Sequence, residues 1–185
     1  MIKKITIYTI ILYFIVGNLF PRELGAVNET VNDSATLIAD SNLTANKIKQ
    51  FKIKNINRFL AFYNSPLTQY SEVFVTEAEK NNLDYRLLVA ISGVESTFGK
   101  AIPTGSYNAW GWNNGNYYFT GWENAISVIS TTLNVKYAQN WGAKTPYEIG
   151  RYYAASPTWA SRVDYFMQDI EKYSANSIDS LEMTI

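Results

Sequence analysis

The chain has 185 residues, 47% of them hydrophobic and 17% charged, with 16 basic and 16 acidic side chains. That make-up fits one compact domain with appendages and excludes a disordered or low-complexity polymer. With no cysteine and no histidine, disulfides, thiol nucleophiles, cysteine-ligated metals, Ser-His-Asp triads and imidazole bases are all ruled out; carboxylates, tyrosine, lysine and water remain for acid–base chemistry.

In chain order, Lys3 and Lys4 precede a 16-residue apolar run from Ile5 to Phe20, closed by Pro21 and the small pair Gly25-Ala26. Residues 1–26 read as a cleaved export signal or a retained N-terminal membrane anchor, and either reading takes the domain out of the cytoplasm. Loss of this segment removes Lys3, Lys4, Arg22 and Glu23 and leaves 13 basic and 15 acidic residues. Such a balance lacks the positive field of a nucleic-acid binder, so no nucleic-acid partner is expected. Residues 27–63 read as a polar linker followed by a basic segment. Lys47 to Arg58 holds five basic residues and no acid, with apolar residues at a spacing that fits neither helix nor strand cleanly. It is either a patch for anionic wall polymer or lipid headgroups, or a solvated basic face.

The domain proper is expected over 64–173. Ser65-Pro66 starts a helix carrying Leu67, Tyr70, Phe74 and Ala78. Asp84 caps a second helix with Leu87, Leu88, Ile91, Val94 and Phe98, ended by Gly99. Tyr107 to Phe119 alternates aromatics around Asn114-Gly115, which predicts a β-hairpin. Thr120-Gly121-Trp122-Glu123 and Thr145-Pro146-Tyr147-Glu148 are capping-box patterns opening two more helices. Ser156-Pro157 starts a last helix with Val163, Phe166, Ile170 and Tyr173. Residues 174–185 read as a flexible tail. The expected fold is mainly α (α+β), a helical domain with one small β-hairpin.

Among the carboxylates, Glu95 needs a special reason. Leu88, Ile91 and Phe98 stand at i−7, i−4 and i+3 from it, so a helical wheel puts Glu95 within the apolar stripe. Burial there favours the neutral, protonated form, which keeps a carboxyl group available as a general acid. Otherwise it lies at the stripe's rim or in an inert pair with arginine. Asp84, Glu123 and Glu148 are explained as caps. Seven aromatics between Tyr107 and Trp122 follow the glutamate helix, beside Asn108, Asn113 and Asn114. Flat rings with amides suit sugar rings; equally, they suit the mini-core of a hairpin.

The stretch Leu87 to Gly99, LLVAISGVESTFG, resembles the catalytic-helix motif of the lysozyme-like superfamily. Tyr107-Asn108-Ala109-Trp110-Gly111-Trp112 resembles the Asn…Phe-Gly segment of the bacterial N-acetylglucosaminidases (mannosyl-glycoprotein endo-β-N-acetylglucosaminidase-like). Tyr153 to Val163, YAASPTWASRV, is similar to that family's late Tyr-Ala-x-Asp-Pro-x-Tyr-Ala-x-Lys-Val motif. The resemblance implies a lysozyme-like fold acting on the peptidoglycan glycan strand; no metal or cofactor motif is visible in the sequence, and a monomer is expected. It implies Glu95 as general acid and Tyr153 as a positioning tyrosine, with Ser96 and Asn108 near the cleft. Tyr107, Trp110, Trp112 and Trp159 are expected against the sugar.

The chain departs from the family at Ser156, often Asp there, and at Trp159, often Tyr. Between Gly99 and Gly121 it has no Asp or Glu, so no second carboxylate carries over. Glycosidases generally use two, about 5–5.5 Å apart for retention or about 6.5–9.5 Å for inversion. With one, either the substrate's acetamido group assists hydrolysis, or a muramic acid C6 hydroxyl replaces water and gives a 1,6-anhydro product as in lytic transglycosylases. A non-catalytic cell-wall-binding module is the rival from another class.

Overall fold

The computed structural model describes residues 26–182, with side chains described over 37–173. The expected export signal or anchor lies outside the described residues, apart from Ala26. Among the described residues no helix is long and apolar enough to cross a membrane. The chain divides between Ala45 and Asn46 into two units. It is mainly helical, and no strand occurs among the described residues.

Helix α1 runs Ala26–Phe62. No glycine or proline interrupts it, so the polar stretch and the basic stretch are wound into one helix. Within the second unit, Ile56, Phe59 and Leu60 are fully buried with Ile53 and Tyr63 packed beside them, an i, i+3, i+4 face. The core therefore begins upstream of the expected start at 64. Of the basic residues, Lys52 and Lys49 reach Glu79 at 2.9 and 3.8 Å.

Ser65 does not cap the expected helix: its hydroxyl accepts from the N–H of Leu67 at 3.0 Å in a turn that ends before the first helical residue, Thr68. A 3-10 turn at Thr68–Tyr70 leads into α2, Ser71–Lys80. Asp84 accepts from the N–H of Arg86 at 2.9 Å and precedes α3, Leu87–Ser96. Burial opposes the Asp84 charge, but the Arg86 side chain and N–H more than offset it and hold the carboxyl below its ordinary range. Arg86 also pairs with Glu171, tying the start of α3 to the last helix.

Helix α4 spans Trp122–Thr132 and continues as a π-helix over Leu133–Asn140. The capping box expected at Thr120–Glu123 is absent: Gly121 is the N-cap and offers no side chain. The one at Thr145–Glu148 is complete and opens α5, Pro146–Tyr153. Helix α6 spans Trp159–Glu182 and so takes in backbone expected as tail. Its inner face is Trp159, Val163, Met167 and Ile170. Helix α3 lies centrally, packed on α6, α2 and α4, with α5 also against α6.

The hairpin expectation is corrected. Residues 107–119 form turns, because Tyr107, Gly111, Asn113, Asn114 and Gly115 all take positive φ between 50° and 79°, which no extended strand accommodates. Gly115 N–H bonds back to the Gly111 carbonyl at 3.1 Å and Asn116 N–H to Asn113 at 3.0 Å. The aromatics that alternate in sequence thus project from a coiled loop instead of two paired strands.

Candidate active site

Helix α3 is buried on every side from Leu87 to Gly93, the signature of a central helix. A wet face through Gly93 does not exist: a methyl group there would lie 2.5 Å from the Phe98 ring and 3.1 Å from Phe166. Glu95 is therefore exceptional for a different reason from the predicted one. It is the single acidic residue of α3, and it emerges half-buried where that helix ends.

The ending itself is unusual. Thr97, Phe98 and Gly99 take φ of 52°, 58° and 79° in succession, and the first two are not glycine. Such residues cost on the order of 1–3 kcal/mol each and persist only where their surroundings over-determine them. Here the surroundings do. Ser96 Oγ accepts from Gly99 N–H at 2.9 Å, and Ser65 Oγ donates to the Phe98 carbonyl at 2.7 Å. The Phe98 ring is wedged among Phe59, Tyr63 and Phe166, with centroids 5.3, 4.4 and 5.0 Å away.

Two elements then converge on the Glu95 carboxyl. From the start of α6, the Trp159 indole N–H donates to Oε1 at 2.6 Å. A buried indole needs an acceptor for its one polar atom, and a carboxylate is a strong one. From the loop after α3 comes Gly111, at φ +63°. A methyl group at Gly111 would sit 2.9 Å from Oε2. Gly111 is solvent-exposed, so the space a side chain would fill stays open beside that oxygen. One oxygen is fixed and the other accessible. Among the described residues no lysine or arginine pairs with Glu95.

Tyr153, the last residue of α5, supports both partners. Its ring stacks on Trp159 at 5.0 Å and 26°, and its hydroxyl donates to the Trp110 carbonyl at 2.6 Å. Burial first, then the nearby Glu95 charge, raises its phenol well above the ordinary range, so it is a neutral donor at neutral pH. Tyr153 thus acts on Glu95 through Trp159 and the backbone before Gly111.

The other expected site residues divide. Trp110 is wholly buried and spends its N–H on the Leu88 carbonyl at 3.0 Å, so it presents no face to a sugar. Asn108 is also buried. Its amide donates to the carbonyls of Trp112 and Tyr117 at 2.9 and 3.0 Å and accepts from Trp112 N–H at 2.8 Å; it staples the loop. Ser96 donates to the Ala109 carbonyl at 2.8 Å and joins that loop to α3. Trp159 is buried too, and is a carboxyl holder instead of a sugar platform. Tyr107, edge-on to Trp122 at 5.3 Å, and Trp112 remain half-exposed. Gly111 was not anticipated, although a glycine between two tryptophans is itself a sign of close approach.

Among the described residues no cluster of acidic side chains could hold a metal ion. Compared with known proteins, the chain matches no protein-family model and no curated protein.

Proposed function

We propose that the chain is an exported glycosidase of the peptidoglycan glycan strand, of β-N-acetylglucosaminidase type and lysozyme-like in architecture. The observation that carries this reading is the Glu95 carboxyl, with Oε1 fixed by Trp159 and Oε2 beside the open space over Gly111. A carboxyl oriented by one hydrogen bond and free at its other oxygen is the geometry a general acid requires.

Glu95 gives its proton to the glycosidic oxygen as the bond from that oxygen to C1 breaks. The 2-acetamido oxygen of the same sugar closes on C1 and takes up the developing positive charge. Water then attacks C1 and returns a proton to Glu95, which restores the acid and leaves a free reducing end. This route needs one protein carboxyl, which suits a loop without Asp or Glu from Gly99 to Gly121. The same single carboxyl also suits intramolecular attack by a C6 hydroxyl, whose product is lighter by one water.

Tyr107 and Trp112, half-exposed on the loop that Asn108 closes, are among the rings of that loop available to a bound sugar. A peptidoglycan zymogram of the wild type and Glu95→Gln tests the reading. Clearing by the wild type alone supports it. Equal clearing removes Glu95 from the chemistry, and clearing by neither points to a wall-binding module.

A further inference from the structure

A second group of aromatic and cationic side chains lies on the π-helix and α5. Trp141 and Tyr152 are 41% and 54% exposed, yet their rings lie against each other with centroids 4.6 Å apart and planes 36° from parallel. The ammonium of Lys136 sits over the Trp141 ring at 4.9 Å. The two rings thus face each other and the lysine lies over Trp141, while the outward side of Tyr152 remains in water.

The charge around this pair of rings is mainly positive. Residues 133–153 contain Lys136, Lys144 and Arg151 against the single acid Glu148. Glu148 is committed to its capping box, accepting from the N–H groups of Lys144 and Thr145, each at 2.9 Å. Among the described residues none of the three cations has an ion-pair partner.

A chain of ring contacts links this pair to the site. Tyr137 is nearly buried between them, with its ring 5.0 Å from Trp141 and 6.0 Å from Tyr153. Tyr153 in turn stacks on Trp159, which holds Glu95. The pair's placement depends on a rare backbone form: the π-helix over Leu133–Asn140, a winding found disproportionately at functional sites. It turns Tyr137 inward while Lys136 and Trp141 stay outside.

We infer that Trp141 and Tyr152 form a remote subsite for an acidic amino-sugar unit of the glycan that reaches Glu95. The outward face of Tyr152, backed by Trp141, takes the apolar face of the pyranose, and Lys136 pairs with the sugar's ether-linked carboxylate. This rests on the glycosidase reading for the identity of the polymer, but not for the existence of the subsite.

Calorimetric binding by the full chain carrying Glu95→Gln separates the two, because it reads affinity without turnover. The probes are a tetrasaccharide of alternating N-acetylglucosamine and N-acetylmuramic acid, and the neutral N-acetylglucosamine tetramer. Trp141→Ala weakens both by about tenfold, and Trp141→Phe restores most of the loss. Lys136→Gln weakens only the acidic probe, and added salt erases that difference. Wild-type affinity in Trp141→Ala and Lys136→Gln overturns the subsite, as does failure of either tetramer to bind the parent. An inactive wild type whose binding still depends on Trp141 removes the glycosidase reading and leaves the subsite standing.

Discussion

Trp159 and Glu95 are 64 residues apart in sequence, yet the indole N–H donates to the carboxyl at 2.6 Å. This bond joins the first residue of α6 to the end of the central helix and leaves the second carboxyl oxygen beside Gly111. Trp159→Phe deletes the donor while keeping a ring against Tyr153. Losing a hydrogen bond to a charged group is worth about 1.5–3 kcal/mol, so kcat should fall roughly ten- to hundredfold. KM should change little. A wild-type kcat would show that the indole does not position the acid.

Gly111 tests the open side of the carboxyl. Alanine there meets two obstacles, a methyl contact 2.9 Å from Oε2 and a φ of +63°. The left-handed conformation alone costs about 1–2 kcal/mol, and the glutamate must swing away to admit the methyl. Gly111→Ala should lose more activity than its drop in thermal midpoint explains. Proportionate losses would make Gly111 a backbone residue only.

Tyr153→Phe keeps the ring stack and deletes the hydrogen bond to the Trp110 carbonyl. Turnover should fall more than substrate binding does, because the loop carrying Gly111 loosens. The native phenol also makes the fold sensitive to alkali. Its folded-state pKa lies above the unfolded value, as does that of Tyr63, pushed up to about 12 by burial and by Asp169. The stability they contribute is present below about pH 10 and is lost as pH rises towards and through the folded values. The denaturation midpoint should therefore drop above pH 10, and drop less in Tyr153→Phe.

Gly93 tests the support behind the site. An alanine methyl would press on Phe98 at 2.5 Å and Phe166 at 3.1 Å. Overpacking of this kind costs about 1–3 kcal/mol. Urea denaturation of Gly93→Ala should show that loss. An unchanged midpoint would mean that the α3–α6 contact has slack.

The helices were legible from local chemistry. The Thr145–Glu148 box forms as its residues predict, because a cap is satisfied within a few residues of itself, whereas Ser65 and Asp84 bond two residues ahead in turns that precede their helices instead of capping them. The loop over 107–119 was misread because alternating aromatics also occur where positive-φ turns set the path, and Asn108 closes that path through carbonyls no pattern reveals. Glu95 was found through a stripe argument that fails, since α3 has no wet face before it; the residue stands out anyway as the lone acid of a buried helix. Trp110 and Trp159 were assigned to sugar because sequence gives ring type but not burial. The partnership of Trp159 with Glu95 depends on how α6 packs on α3, and that is a property of the tertiary fold.

The most direct test is the rate at which the wild type and Glu95→Gln release soluble fragments from peptidoglycan, with the fragments weighed by mass spectrometry. The amide can still accept from Trp159 but cannot supply the proton, and general acid–base catalysis contributes about 10²–10⁴-fold. A loss of that size in a folded variant, with wild-type products carrying a free N-acetylglucosamine reducing end, is the expected result. Equal release by both proteins, or none by a folded wild type, would contradict the account.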